Sequence, residues 1–428
     1  MDLPHYELRC QRCDETFEDD GFILECPKQH EPALLVADYK DKRFEPDSSA
    51  EGMFRYGRWL PGTRLLSGAG SSVTYKSEKL NRVVGLLNVW VVFNGYWPER
   101  DAALETPSFK DLEAWTVLSR IPERHQEVLV LASAGNTAAA FARACSLNGV
   151  PCLIVVPEAA LPNLGFPDAI DPCVKIISLT GFTDYSDAIT LADRVSQIDG
   201  FFPEGGVKNV ARRDGLGTTM LNAVEEIGEI PHYYFQAIGS GAGAIAAYEA
   251  ARRLADDGRF GEEPPRLVLS QNLPFVPIYM SWKSRRRELV KIDEADGKKQ
   301  TQQMAAQVLS NRRPPYSCKG GVFDVLTETR GDVLTADNFE ALHAKRLFEE
   351  TEGIDIDPAS AVAFATLLKA ARYDGIEKDA MVLLNITGGG RHRQRLDKEL
   401  IPAQPALEFD ENEILLEETP ERIAGLFR

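Results

Sequence analysis

Positive charge is scarce in this chain: 48 Lys+Arg against 65 Asp+Glu leave a formal net charge of −17 over 428 residues. A polyanion such as nucleic acid is therefore a poor partner. Long apolar runs are missing too. The longest, Leu86 to Phe93, is broken by Asn88 and falls far short of the roughly 18 residues a membrane helix needs, so no membrane partner is expected. The first residues, Met1 to Glu7, show no basic stretch followed by an apolar core; the expectation is a cytoplasmic protein without a signal peptide. The seven cysteines are an odd number in a long chain, unlike the even frameworks of small secreted domains, and suit reduced thiols or metal ligands. No internal repeat is evident. With 44% apolar and 26% charged residues the composition is that of a globular protein, and the length suggests two or three lobes.

What is present is an alternation of buried strands and helices. Val128–Ser133, Cys152–Pro157 and Val174–Leu179 read as strands, with helices over Thr137–Leu147 and Tyr185–Ile198. After a glycine-rich bend at Glu204–Gly206, Tyr233–Ile238 and Arg266–Ser270 read as strands around a helix at Ala244–Ala255. Helices over Asp337–Glu350 and Pro358–Arg372 precede a last strand, Met381–Ile386. Such alternation predicts an α/β fold of two open, twisted, mostly parallel sheets with a cleft between them, where ligands sit at strand C-termini. The basic stretch from Trp282 to Lys319 carries no sheet signal and is expected to be an exposed insertion of solvated helix and loop. The expected division is an N-terminal Cys/His segment at 1–48, a large lobe at 49–118 and 208–428, and a smaller mobile α/β lobe at 119–207.

Four segments carry chemistry. In Thr106-Pro-Ser-Phe-Lys-Asp111, Lys110 stands at the start of a helix, where desolvation and positive dipoles can strip its proton and leave an amine able to condense with an aldehyde. Alone, a lysine after an aromatic residue is ordinary surface. The other three segments each end a strand and offer what a pyridoxal phosphate site needs. Ser133-Ala-Gly-Asn-Thr137 presents backbone N–H groups to an anion, and Asn136 an amide to a ring oxygen; it is equally good turn and cap material. Gly239-Ser240-Gly241-Ala242-Gly243 opens a helix as a phosphate cradle should. Its spacing is not the G-x-G-x-x-G of dinucleotide folds, and the following strand ends in Ser270-Gln271 rather than an acid. Asn385-Ile-Thr-Gly-Gly-Gly390 puts the Thr387 hydroxyl where a pyridine nitrogen could meet it, which suits β-elimination and replacement better than transamination, unless Thr387 merely caps a turn.

Cys10-x2-Cys13-x12-Cys26-x3-His30 has the ligand types and spacing of a structural tetrahedral zinc site, and three buried thiols in a small hairpin is the competing reading. Cys145, Cys152 and Cys173 fall on core-facing periods and read as apolar residues. Arg212 could fork onto a substrate phosphate, or pair with Asp214 or Glu204. His125, His232 and His343 receive no role.

Taken together, the four segments resemble fold type II pyridoxal phosphate enzymes (tryptophan synthase β-like) of the threonine synthase branch, in that family's order over about residues 50–392. Asn209-Val-Ala-Arg212 with Gly215 and Thr218 resembles the N-x-x-R-x-x-G-x-x-T stretch of the same branch. Further segments, Phe54–Pro61, Val73–Ser77, Phe93–Pro98, Glu204–Gly215 and Glu352–Ile356, resemble archaeal cysteate synthases. Two departures from threonine synthases, Leu112 after Asp111 and a longer Asn94–Thr106 carrying Trp97 and Arg100, fit a branch of changed specificity.

That resemblance implies a PLP-dependent transferase joining O-phospho-L-serine and sulfite into L-cysteate and phosphate, on a methanogen route to coenzyme M. Lys110 would hold the cofactor, Asn136 its phenolic oxygen, Gly239 to Gly243 its phosphate and Thr387 its ring nitrogen. Ser133, Thr137 and Arg212 would hold substrate. Relatives of this kind associate, which implies a homo-oligomer. Threonine synthase and a phosphoserine-dependent cysteine synthase are the alternatives within this chemistry; a regulatory amino-acid sensor is the alternative outside it.

Overall fold

A computed structural model of the chain describes residues 5–133, 135–373 and 375–428. Two main sheets organise it. The larger has six strands in the order Asp332–Ala336, Arg266–Asn272, Tyr233–Ala237, Val382–Ile386, Val89–Phe93 and Val73–Lys76, all parallel except the last. The smaller has five parallel strands, Phe201–Pro203, Val128–Ala132, Cys152–Pro157, Val174–Leu179 and Leu407–Phe409. Their strands are nearly continuous runs of buried Val, Leu and Ile, as strands covered by helices on both faces must be. The expected α/β class and most expected elements are therefore present, within three residues at each end.

The C-terminal stretch departs from the expected division. The sequence places residues 208–428 in the larger lobe, yet Leu407–Phe409 adds a strand to the smaller sheet, and the helix Thr419–Ala424 packs on Tyr185–Val195. Phe409, Ile414 and Ile423 supply the reason: each is buried in the small sheet's core beside Leu191 and Val195.

The segment 282–319 departs as well. It holds a helix, Glu294–Gln302, but Met304, Ala306 and Leu309 are buried against the larger sheet, so its second half is a wall rather than a solvated loop. Two of its basic side chains reach the smaller lobe. Lys298 Nζ lies 2.9 Å from Asp187, and Arg312 donates to Asp184 and to Ser186 Oγ, at the N-terminus of the helix Tyr185–Val195.

The N-terminal segment forms a three-stranded antiparallel sheet of Thr16–Phe17, Tyr6–Cys10 and Leu35–Tyr39. Too short for a core of its own, it contributes Tyr6, Leu8, Leu35 and Tyr39 to a cluster shared with helices Val210–Ile227 and Ala242–Asp257. Asp19 of this segment forks onto Arg120, the last residue of the helix that starts at Lys110, with both contacts at 2.7 Å. Among the described residues no helix is long and apolar enough to cross a membrane.

Candidate functional site

The two central neighbours of the larger sheet, Tyr233–Ala237 and Val382–Ile386, end side by side, and their C-terminal turns build the site. One turn, Ile238–Gly241, leads into the helix Ala242–Asp257 with Gly241 as N-cap at φ +85°. Glycine is required here: a Cβ on Gly241 would meet Val322 Cγ2 at 2.2 Å, and one on Gly243 would meet Gln236 Nε2 at 2.6 Å. The other turn, Thr387–Gly390, is glycine-rich because the lysine segment lies against it. Phe109 N–H donates to Thr387 O at 3.0 Å, and Gly389 N–H to Pro107 O at 3.2 Å. A Cβ on Gly388 would stand 2.5 Å from Asp357 Oδ2. The last strand thus holds the start of the helix Lys110–Arg120 beside Thr387.

A cavity of about 110 Å³ opens at this junction, lined by Lys110, Ser133, Asn136, Thr137, Tyr185, Arg212, Gly239 to Gly243, and Thr387. Every residue expected to contact cofactor or substrate lines it; Ala134, inside the Ser133–Thr137 segment, lies outside the described residues. Burial pulls the Lys110 amine below its usual pKa and Arg212 pushes the same way, while Glu113 opposes them. A buried polar network supports the floor: Asn385 donates to Tyr234 Oη at 2.6 Å and to Gln236 Oε1 at 3.1 Å, and accepts from Asn94 at 2.9 Å. Each of these residues is almost fully buried, so the network ties three strands together under the cavity.

Several side chains have partners the sequence did not announce. Ser133 Oγ accepts from the N–H groups of Gly135 and Ala138, so it caps the helix Asn136–Asn148 while keeping its own proton to donate. Thr137 Oγ1 donates to Glu113 Oε1 at 2.9 Å, which directs its hydroxyl proton away from a substrate. Arg212 lines the cavity, but its fork is held by Glu204 and Glu113, Nε lying 2.8 Å from Glu204 and Nη1 3.0 Å from Glu113. The ion-pair reading with Glu204 is the one the geometry matches.

Three neighbours were missed. Glu113, fully buried, also takes Lys110 Nζ at 2.9 Å; its signal was an acid three residues after the lysine, on the same helix face. Arg391 donates to Asn136 Oδ1 at 2.9 Å and is itself held by Asp357 at 2.8 Å. With Oδ1 engaged, Asn136 has its Nδ2 left to offer. The signal for Arg391 was a cation directly after the triple glycine. Tyr185, read only as a helix start, reaches the cavity from the smaller lobe.

The residues fit pyridoxal phosphate: a buried amine, a glycine helix start for a dianion, an amide donor and a hydroxyl converge on one space. A family model for pyridoxal-phosphate dependent enzymes matches residues 92–388. The chain belongs to the pyridoxal-phosphate dependent enzymes. Within that family it is similar to cysteate synthases. It is 45% identical over 417 residues to that of Methanosarcina mazei, covering 97% of this chain and 99% of that one. The cysteate synthase of Methanocella paludicola is 46% identical over 415 residues, covering 96% of each. Solved structures share the fold at low identity. Maize serine racemase superposes with a TM-score of 0.55 at 17% identity, over 76% of this chain and 90% of its own. Threonine deaminase isoform 2 from Solanum lycopersicum does so with a TM-score of 0.53 at 17% identity, over 87% and 97%.

Away from the cavity, the candidate ligand atoms of Cys10, Cys13, Cys26 and His30 all lie within 4.8 Å of one another. Cys13 Sγ stands 3.7 Å from Cys26 Sγ, and Cys10 Sγ 3.4 Å from His30 Nε2. Ligands ~2.3 Å from a tetrahedral zinc are about 3.8 Å apart, so the donor set and its spacing fit that ion. Cys145 and Cys152 are buried and Cys173 packs against the same core, where burial pushes the Cys173 thiol up to about 12.

Proposed function

We propose that the chain is a cysteate synthase, exchanging the phosphate of O-phospho-L-serine for sulfite. The observation that carries this is the Lys110 amine inside the glycine-lined cavity beside Thr387, in a chain 45% identical to the cysteate synthase of Methanosarcina mazei over nearly its whole length.

Pyridoxal phosphate, when bound, supplies an electron sink that makes the α-proton of an amino acid acidic and lets a β-substituent leave. Lys110 would hold it through its amine, Gly239 to Gly243 its phosphate, Asn136 its phenolic oxygen through Nδ2, and Thr387 its ring nitrogen. Thr387 suits replacement chemistry because a neutral hydroxyl does not keep that nitrogen protonated; its oxygen lies 3.4 Å from Ser360 Oγ. Lys110, once free, takes the α-proton as general base and later returns it. Ser133 has a hydroxyl proton for the substrate carboxylate, and Thr137 and Arg212 act chiefly by holding Glu113. Tyr185 and Val308 face the cavity from opposite lobes, and the pairs Lys298–Asp187 and Arg312–Asp184 hold those lobes together, which keeps water from the reacting carbon. Cys10, Cys13, Cys26 and His30 would hold a structural zinc, all four positions being filled by protein.

Incubation of the holoenzyme with O-phospho-L-serine and sulfite, followed by mass spectrometry, is expected to show L-cysteate with one phosphate released per product. Cysteine formed from sulfide in place of that product, or threonine formed from homoserine phosphate, would instead place the chain with the phosphoserine-dependent cysteine synthases or the threonine synthases.

A further inference from the structure

Glu113 lies fully buried behind the cavity lining, bonded to three residues that do line it, Lys110, Thr137 and Arg212, in a site that must admit two anions. A buried carboxylate there is expensive to keep, and it repels the incoming phosphate and sulfite. Its two oxygens are differently placed. Oε1 is anchored by Thr137 Oγ1 at 2.9 Å and Arg212 Nη1 at 3.0 Å. Oε2 is turned to Lys110 Nζ at 2.9 Å, one helical turn back on the same face. Arg212 is fixed in turn by Glu204. The carboxylate is therefore clamped at one end and presents the other to the lysine amine.

We propose that Glu113 is a positioning residue for the replacement reaction: it aims the freed Lys110 amine at the α-carbon and keeps the abstracted proton on that amine until it is returned. This rests on the reading of Lys110 as the base. The α C–H bond breaks and an N–H bond forms, so Lys110 becomes an ammonium paired with Glu113 Oε2. Phosphate leaves with the electron pair of its C–O bond, and sulfite brings the pair that makes the C–S bond. The proton then passes from Lys110 to the α-carbon and the amine is neutral again. The charged groups acting on the amine are Glu113 on its own helix and the Arg212–Glu204 pair, and the neutral Tyr185 phenol lines the same cavity from the smaller lobe. Glu113 favours the ammonium, while burial and Arg212 favour the neutral amine. Asp111, next in sequence, is occupied elsewhere, its carboxylate bonded to Thr106.

Glu113→Gln separates this role from a structural one. In protein freed of cofactor, acetylation of Lys110 followed across pH by peptide mass spectrometry is expected to reach its midpoint about one unit lower than in the wild type, because an opposite charge within hydrogen-bond distance has been removed. In the holoenzyme kcat is expected to fall on the order of tenfold or more, with its acid limb moved to lower pH, while KM for phosphoserine holds or drops. Substrate deuterated at the α-carbon is expected to yield cysteate that retains part of its deuterium in the wild type and loses it in the variant. An unmoved labelling midpoint together with unchanged kcat overturns the proposal. Should Glu113→Gln fail to fold, Glu113→Asp, which keeps the charge but is one methylene shorter, is expected to shift the same readouts in the same direction; wild-type values in it overturn the proposal equally. If the wild type makes no cysteate, the functional reading itself fails, and the labelling midpoint still reports on Glu113.

Discussion

The cofactor cavity and the Cys/His cluster are both convergences of chemical groups, and they are assembled in opposite ways. Lys110, Asn136, Gly239 to Gly243 and Thr387 come from four distant segments, each set at the end of a buried strand or the start of a helix. Cys10, Cys13, Cys26 and His30 come from one short stretch that borrows its core from the helices beneath. The first site is held by two sheets whether or not a ligand is present. The second has little else to fix its loops, so a bound metal would contribute directly to its fold. The two are joined through one helix: Lys110 begins it, and Arg120, which clasps Asp19, ends it.

The largest expected effect lies at the start of that helix. Lys110→Ala is expected to abolish both the visible absorbance of bound cofactor and sulfite-dependent phosphate release, measured on the same sample, with the thermal midpoint near the wild type. At the cluster, Cys26→Ser is expected to remove about one zinc per chain by metal analysis and to lower Tm by about 2 °C, as about 2 kcal/mol would in a chain of this size. Its loss of kcat should be far smaller than that of Lys110→Ala. Equal losses in both would mean that the cluster acts on the chemistry and not on the fold.

A smaller effect is expected at the mouth. Arg312→Gln removes the contacts with Asp184 and Ser186 that bind the lobes, so pyruvate from water reaching the site should rise a few-fold against cysteate, read by product ratio. The smallest concerns Asp111, whose carboxyl burial raises from the ordinary 3.8 to about 7 against the opposing bonds from Thr106. A carboxyl raised on folding contributes stability that is complete below about pH 4 and is lost as pH rises through about 7. Thermal melts of Asp111→Asn are therefore expected to lose that fall in stability between pH 4 and 7, while the wild type keeps it.

Strands and helices of the parallel sheets were legible because continuous Val, Leu and Ile runs bounded by glycines leave few other readings; Cys152–Pro157 and Val174–Leu179 have the expected bounds. That Lys110, Asn136 and Thr387 could share one cavity was legible because Asn136 and Thr387 follow the ends of such strands and Lys110 opens a helix. The rest depends on contacts between distant segments. Nothing near Arg391 in sequence announces Asn136, and nothing in Leu407–Phe409 announces the strand Val174–Leu179 that it extends. The basic residues of 282–319 suggested solvent, but the counter-charges of Lys298 and Arg312, Asp187 and Asp184, sit on another lobe. Charge pairs set by tertiary packing have no local period to read.

Borohydride reduction of the holoenzyme, followed by proteolysis and mass spectrometry of the cofactor-bearing peptide, tests the centre of this assignment most directly. The pyridoxyl mass is expected on the peptide containing Lys110, with one cofactor per chain. The same mass on another lysine, with Lys110 unmodified, would contradict it.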